Sequence, residues 1–489
     1  MEPKKKLILF TDGYPFVNTP ETVFIPPELE ELKKDYGVSI VACTDEAVLS
    51  EGGTLRDGAG TCGLFCYKKP RGKYLPELAC LFRALFDPVF RAEAGRIRRE
   101  ARSGKEAGAP DPKDVSAAAH SEEASVSRKL FRAFLYYYWA ADFSRWIKKQ
   151  GILEADGTMS SAGTGDPEDA DRRESVICYT YWHNYYLLGL CGIKDRYPGL
   201  KLLSRIHGYD LFDDQSPVND QPFKAFMDDR TDLTLFLSKQ GQDYFERRFH
   251  TEKNREKHRI CRMGVYERSP EIRASGEEFL MVSCASIYPV KHIEGIIEGL
   301  AGAGKNTLTP GTSAFKKKPV RWVHFGPGED DYAASVKKLA VERLSGIEGL
   351  TFEFRGYVPN EEVIRFYLEE HPSCFIMTSL SEGSPVSVQE AVSCGIPVIG
   401  TDVGGMGELV DGNGILLTDN AAVKDAILRM YEMPEEEILK MKKRSLEIWS
   451  ERFDREKNLR EFSELIGTLQ VSGKGSGPAS GHASRPLPG

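Results

Sequence analysis

Short runs of aliphatic residues alternate along this chain with segments whose apolar positions recur at helical spacing, and the series occurs twice. Runs of that length between amphipathic helices are the sequence form of βαβ units and a parallel sheet. In the first half, strands are predicted at 6–10, 38–43, 176–181, 201–206 and 233–237. In the second half they fall at 279–284, 320–325, 350–355, 373–378 and 396–400. A polar stretch containing Pro and Gly, Val265 to Gly276, separates the two series. The pattern predicts an α/β chain of two domains, 1–265 and 266–470, each built on a parallel sheet.

Other segments break this rhythm. Residues 101–126 and 154–175 are rich in Ala, Gly, Ser, Asp and Glu, with too few large apolar side chains to bury, so they read as mobile insertions. Residues 303–318 read the same way, and the Gly-, Ser- and Pro-rich stretch 471–489 as a flexible tail. Glu436 to Leu469 is predicted as one long C-terminal helical segment packed on a domain surface. Residues 128–150 also have helical spacing, with six basic residues against one acidic. Such a helix could rest on an anionic membrane; the reading preferred here is a helix packed on the first sheet with its Arg and Lys reaching to solvent.

Size and charge narrow the function. A chain of 489 residues is long enough for two ordinary domains and a cleft between them. Its net charge of -8 argues against nucleic acid as the main partner, since phosphate-backbone binding favours a basic surface. The apolar run behind the basic opening, Leu7 to Phe10, is too short for a signal-peptide core, and no stretch approaches the ~20 apolar residues of a membrane span. The expectation is a cytoplasmic protein, with peripheral contact at the inner membrane surface left open. The ten cysteines are scattered and several fall in strand-like runs, as packed thiols do. Cys62 and Cys66 have no second pair or histidines at zinc spacing, so no metal site is expected there.

The chemistry concentrates in SLSEGSPVSVQEAVSCGIPVIGTDVGG, residues 379–405. Ser384 suits an N-cap, Pro385 a first helical position and Gly395 a stop, which places Glu382 in a loop after a strand and Glu390 two turns into a helix. A helix starting just past a strand offers unpaired amides and positive dipole charge, where phosphate binds, and a carboxylate further along can accept ribose hydroxyls. The plain alternative is a loop carboxylate and a solvated helix face. The small and apolar neighbours Val386, Val388, Ala391 and Val392 argue against it, because a glutamate on a buried helix wants a partner.

Glu382-Gly383-Ser384-Pro385 followed by Glu390-Ala391 resembles the Glu-x7-Glu signature of family-4 retaining glycosyltransferases, which have the two-Rossmann GT-B architecture. SCASIYPVKH (283–292), HFGPG (324–328), FRGYVP (354–359), TDVGGMGELV and NGILL match in order around it. The resemblance implies a retaining transferase moving sugar from a nucleotide-sugar to a glycan or lipid-linked acceptor, as in polysaccharide biosynthesis. It implies that Glu390 holds the donor ribose and Glu382 the donor sugar. Gly383, Ser384, Pro385, Val386, Ser387 and Val388 would lie against the diphosphate, Val358 near the base, and Lys291 would neutralise the departing phosphate. His207, after the strand in KLLSRIHGYDL, is similar to the family histidine near the transferred sugar. Ser238 and Gly264 also match family positions, but as turn residues they need no chemical role.

The chain departs from that pattern twice. Ser286 stands where the family often has arginine, and TDGYPFVNTPET replaces the paired-glycine loop after the first strand. No cofactor or metal is expected: the chain's one Asp-x-Asp, Asp169-Ala170-Asp171, sits in an insertion. A glycoside hydrolase also uses paired carboxylates but needs no helix terminus and lysine converging on an anion. A glycogen-type synthase, a nucleotide-sugar epimerase, or a nucleotide-sugar-binding protein without turnover would share much of the fold.

Overall fold

The computed structural model describes residues 5–16, 21–45, 61–67, 74–103, 124–154, 176–274, 276–305, 315, 317–419 and 422–471. Among these, the chain forms two compact units. The first takes the residues up to Cys261 together with those from Leu459 onward, and the second takes Arg262–Asn458.

The first unit holds strands β1 (Lys5–Thr11), β2 (Tyr36–Asp45), β3 (Thr61–Tyr67), β4 (Val176–Thr180), β5 (Leu200–Ile206), β6 (Leu233–Phe236) and β7 (His258–Ile260). They form one parallel sheet in the order β3-β2-β1-β4-β5-β6-β7. Its helices are α1 (Glu21–Asp35), α2 (Tyr74–Phe86), α3 (Pro88–Ser103), α4 (Val126–Gln150), α5 (Tyr185–Ile193), α6 (Gly208–Leu211), α7 (Lys224–Arg230) and α8 (Lys239–Phe249). The central strands carry uninterrupted buried runs, Leu7 to Thr11 and Val176 to Thr180, as strands covered on both faces must.

The second unit holds β8 (Phe279–Cys284), β9 (Val320–Phe325), β10 (Leu350–Phe354), β11 (Cys374–Met377), β12 (Val398–Thr401) and β13 (Gly414–Leu417), again parallel, in the order β10-β9-β8-β11-β12-β13. Helices α9 (Ile293–Gly304), α10 (Asp331–Leu344), α11 (Asn360–Glu370), α12 (Val386–Ser393), α13 (Met406–Leu409), α14 (Val423–Glu432) and α15 (Glu435–Ile448) accompany them, and α16 (Arg455–Val471) follows. One apolar cluster centred on Trp322 and Ile297 and another on Phe375 and Val388 pack against the strands.

All ten predicted strands are present, and three more were not anticipated. β3 is interrupted by glycine, β7 has three residues, and β13 lies in the NGILL motif. Residues 128–150 are a packed helix: α4 buries Ala133, Tyr137, Ala140, Phe143 and Ile147. It approaches α5 so closely that a Cβ on Gly189 would lie 2.8 Å from the Ala140 carbonyl oxygen. The expected insertions at 101–126 and 154–175 lie outside the described residues except at their ends, where α3 and α4 extend into the first. The tail beyond Val471, the middle of 303–318, and Asp169 and Asp171 also lie outside them.

The single helix expected over 436–469 is two. It is broken by a π-helical turn, Trp449–Phe453, and by extended backbone at Asp454. There the Val265 N–H donates to the Phe453 carbonyl (2.9 Å) and the Arg455 N–H to the Val265 carbonyl (3.2 Å), so an adjacent strand-like segment takes the bonds a continuous helix would need. Gly264, at φ +72, fits because a Cβ would stand 2.6 Å from the Phe453 carbonyl oxygen. The expected block 266–470 is also divided, since the end of α16 belongs to the first unit. Phe462 packs against Tyr179 and lies under the Arg205 guanidinium, and Ser463 bonds Asp35.

Candidate functional site

In an open parallel sheet, loops leaving the strands on either side of the point where strand order reverses diverge and leave a crevice at the strands' carboxyl ends. In the second unit that point lies between β8 and β11. The loop after β8 ends in a 3-10 turn, Pro289–Lys291, and His292 in the left-handed region. The loop after β11 carries Glu382. Two hydrogen bonds join the loops: Leu380 N–H to the Val290 carbonyl (2.8 Å) and the Thr378 hydroxyl to the His292 carbonyl (2.6 Å). Across this seam the Lys291 ammonium lies 2.6 Å from Glu382 Oε1, with Glu382 buried and Lys291 partly exposed.

The loop after β12 supports Glu382 from behind. Gly405 N–H donates to the Gly383 carbonyl (2.7 Å). At Gly404 the backbone has φ +55, and a Cβ would stand 1.7 Å from the Glu382 carbonyl oxygen. Both conformation and space therefore call for glycine in TDVGG.

Helix α12 starts one residue later than expected. Pro385 is its N-cap, in extended backbone and with no side chain to cap, so Ser384 lies outside the helix. The Ser384 hydroxyl instead accepts from Gln389 Nε2 (2.9 Å). The amides of Val386, Ser387 and Val388 belong to the first turn and have no carbonyl within the helix to bond, leaving donors and positive dipole charge at the crevice. With this start, Glu390 is in the second turn, one turn in rather than two. It is buried, and Oε1 accepts from Asn360 Nδ2 at 2.7 Å. Burial pushes its carboxyl pKa up, against the opposing pulls of the Asn360 hydrogen bond and the Arg268 and Arg455 charges. The Cys284 thiol at the end of β8 is pushed up to about 12, by burial first and then by the Glu390 charge. Val358 packs on the core two residues before Asn360, in a loop turned by Gly356 at φ +64.

The second unit therefore brings together Lys291, Glu382, the Gly383–Val388 segment, Glu390 and, through Asn360, the Val358 loop. Asn360 is new to the set. Its position opening a helix in PNEE suggests only a turn residue, and its contact with Glu390 spans 30 positions.

His207 lies in the first unit, directly after β5. Its ring sits against Trp182 (4.4 Å between centroids) and Tyr181 (4.8 Å), and neither ring nitrogen has a hydrogen-bond partner among the described residues. Burial, with the Arg205 charge, drives its pKa well below the usual histidine range, so the ring is neutral. Its backbone N–H donates to Asp210 Oδ1 (2.6 Å). The loop after β1, where the paired glycines are missing, is organised by Glu21. That buried carboxylate accepts from the amides of Asp12 (2.8 Å), Gly13 (2.9 Å) and Tyr14 (2.7 Å) and from Trp182 Nε1 (2.7 Å). One side chain thus fixes both the loop and the ring that lies against His207. The sequence reading missed it, because a glutamate opening a helix looks like an ordinary first-turn acid.

Among the described residues no cluster of three or more His, Cys, Asp or Glu could hold a metal ion, and no helix is long and apolar enough to cross a membrane. Residues 310–433 match the family model described as Glycosyl transferases group 1. An 83-residue stretch is 39% identical to the O-antigen biosynthesis glycosyltransferase WbnH of Escherichia coli, covering 16% of this chain and 25% of that relative. The chain thus spans about a quarter of the length of the curated relatives it matches. Over nearly its whole length the fold resembles the lipopolysaccharide outer core galactosyltransferase WaaB (TM-score 0.55, 14% identity, 95% of this chain and 99% of that one). It also resembles Anabaena Alr3699/HepE, solved with UDP and glucose (TM-score 0.54, 15% identity, 95% and 100%). The chain has the GT-B fold of two Rossmann-like units, and within the second unit residues 310–433 are similar to the Glycosyl transferases group 1 model.

Proposed function

We propose that the chain is a retaining glycosyltransferase that takes sugar from a nucleoside diphosphate sugar and passes it to a glycan or lipid-linked acceptor. The observation that carries this reading is the convergence at one switch point of Lys291, Glu382, an open helix start and the buried Glu390. In this reading the diphosphate lies on the amides of Val386–Val388 and draws on Lys291, the ion-pair partner of Glu382. The ribose hydroxyls bond the Glu390 oxygen that Asn360 leaves available, the base lies by Val358, and Glu382 receives the sugar hydroxyls. His207 in the first unit, being neutral, is suited to hydrogen bonding rather than to supplying charge.

As the glycosidic bond breaks, negative charge grows on the leaving phosphate, where a fixed ammonium and aligned amides stabilise it most. The acceptor hydroxyl attacks from the face the diphosphate leaves, so the anomeric configuration is kept. Because Lys291 and the helix start can meet the diphosphate charge, transfer is proposed to need no divalent metal. The reading is supported by WaaB and the WbnH relative, whose names describe sugar transfer, and by HepE, solved with UDP and glucose.

A panel of nucleotide-sugars tested by thermal shift identifies the donor, because a ligand that binds only the folded state raises the melting temperature. Turnover of that donor with acceptor fractions in chelator, followed by NMR of the product anomer, tests the rest. A donor that binds but is never turned over would indicate a binding protein; an inverted product would overturn retention.

A further inference from the structure

Four of the thirteen large apolar side chains exposed among the described residues fall within six positions of one helix, α2. Leu81, Phe82, Leu85 and Phe86 are 39%, 66%, 53% and 69% exposed, whereas Cys80 and Ala84 of the same helix are buried. Spacing of i, i+1, i+4 and i+5 puts the four on one stripe. The Phe82 and Phe86 rings lie 5.4 Å apart, next to one another in solvent. Leaving this much contiguous apolar surface in water has a cost that scattered residues do not have, and such patches mark interaction surfaces.

The charge around the stripe indicates what covers it. Helices α2, α3 and α4 together carry twelve Lys and Arg against four Asp and Glu, in a chain whose net charge is -8; of the twelve, Arg96 is committed to Glu93, Glu100 and Asp220, and Arg145 is paired with Asp142. Arg83, exposed on the same helix, borders the stripe. Arg83 and Arg145 of α4 are both near enough to Cys80 to offset part of the rise that burial causes in its thiol pKa. A second copy docking through this face in a two-fold dimer would bring the same cationic helices against themselves. An anionic lipid surface meets both features at once: apolar side chains enter the acyl boundary while the basic residues face the headgroups.

We infer that α2 docks the protein on anionic membranes, inserting Phe82, Phe86, Leu85 and Leu81 with Arg83 at headgroup level. This differs from the membrane reading considered for residues 128–150, whose apolar side is committed to the core. It is also independent of the proposed transfer chemistry, since no residue of the donor site takes part.

The test is co-sedimentation of the full chain with vesicles of phosphatidylcholine alone and of phosphatidylcholine with phosphatidylglycerol, at low and high salt. The wild-type chain is expected to sediment with the phosphatidylglycerol vesicles and to release at high salt. F82S/F86S should bind at least tenfold more weakly while keeping the wild-type melting temperature. R83E should also weaken binding, and V341S, which removes an exposed valine elsewhere, should not. Failure of the wild type to prefer anionic vesicles, or equal binding by F82S/F86S, overturns the proposal. So does a dimer in light scattering that F82S/F86S dissolves while no form of the chain binds lipid, which would assign the stripe to a second copy. Donor thermal shifts on the same variants separate this result from the transfer reading.

Discussion

Glu382 and Glu390 lie eight positions apart, yet their surroundings give them different work. Glu390 is buried, held by one hydrogen bond from Asn360, and carries a raised pKa because the protein supplies too little to replace its water. A ribose diol bonded to the remaining oxygen would supply it, in the ground and transition states alike. Glu390→Ala should therefore weaken binding of the nucleotide-sugar and the bare nucleoside diphosphate equally, by roughly 1.5 to 3 kcal/mol or about tenfold and more. Glu382 instead neutralises Lys291. Glu382→Ala relieves the lysine of its carboxylate, so diphosphate affinity should not fall, whereas transfer should, with much of the loss in kcat if the sugar contact tightens as the bond breaks. Calorimetry with the nucleoside diphosphate, paired with transfer rates, reads both. Diphosphate binding lost as badly in Glu382→Ala as in Glu390→Ala would place the donor elsewhere.

Between elements, the site depends on loops that hold each other in place. The seam between the β8 and β11 loops leans on the β12 loop at Gly404, where an alanine would need both a disfavoured φ and space already filled by the Glu382 carbonyl. Gly404→Ala should move Glu382 and reduce donor affinity more than tenfold, in addition to the ~1 to 2 kcal/mol of stability that left-handed backbone costs a residue with a Cβ. Gly407→Ala, three positions on with nothing nearer than 3.5 Å to its added methyl, should bind as the wild type does. In the first unit, Glu21→Gln keeps the size of the side chain but turns an amide nitrogen toward donors that the carboxylate accepts. It should lower the melting temperature, at about 2 kcal/mol or more, while leaving calorimetric diphosphate binding unchanged, because that ligand belongs to the second unit. What could be read ahead of the structure follows the same division. Strands buried on both faces and the Glu382–Glu390 helix are written in contiguous residues, so periodicity and capping located them within one or two positions. The contacts Asn360–Glu390 and Trp182–Glu21 join residues 30 and 161 positions apart, and nothing local marks them. β7 is too short to carry a period, and the break at Trp449–Phe453 is imposed by Val265, some 190 positions earlier.

For the molecule as a whole, the response to pH should depend strongly on one buried histidine in the first unit. His258 lies between Asp228 Oδ1 (3.0 Å) and Glu246 Oε1 (2.9 Å), with its side chain and both carboxylates almost fully enclosed. Asn254 and Thr234 bond Asp228, and Gln242 and Arg255 bond Glu246. Burial alone would lower the imidazole pKa, but the two carboxylates outweigh it and the net shift is upward. A base whose folded pKa exceeds its unfolded value of ~6.5 contributes its full stabilisation below that value and loses it as pH rises through the folded pKa. Glu246 works in the opposite direction. Its pKa is held down at about 2 by Arg255, His258 and Gln242, so its contribution is complete above ~4.3 and fades only as pH falls toward that lower value. His183 and His207, both held neutral, penalise acid as well, which would blur the wild-type curve by itself. Comparison with His258→Gln removes that background, because the two other histidines are present in both proteins. Removing one partner of a buried ion pair costs about 3 to 5 kcal/mol, so the variant should melt well below the wild type at pH 6. That gap should narrow steadily as pH rises through neutrality toward 9, as the wild-type imidazolium loses its proton. Melting curves for the two proteins across this range measure it directly, and a gap that stays constant or widens with pH would mean His258 is neutral between its two carboxylates.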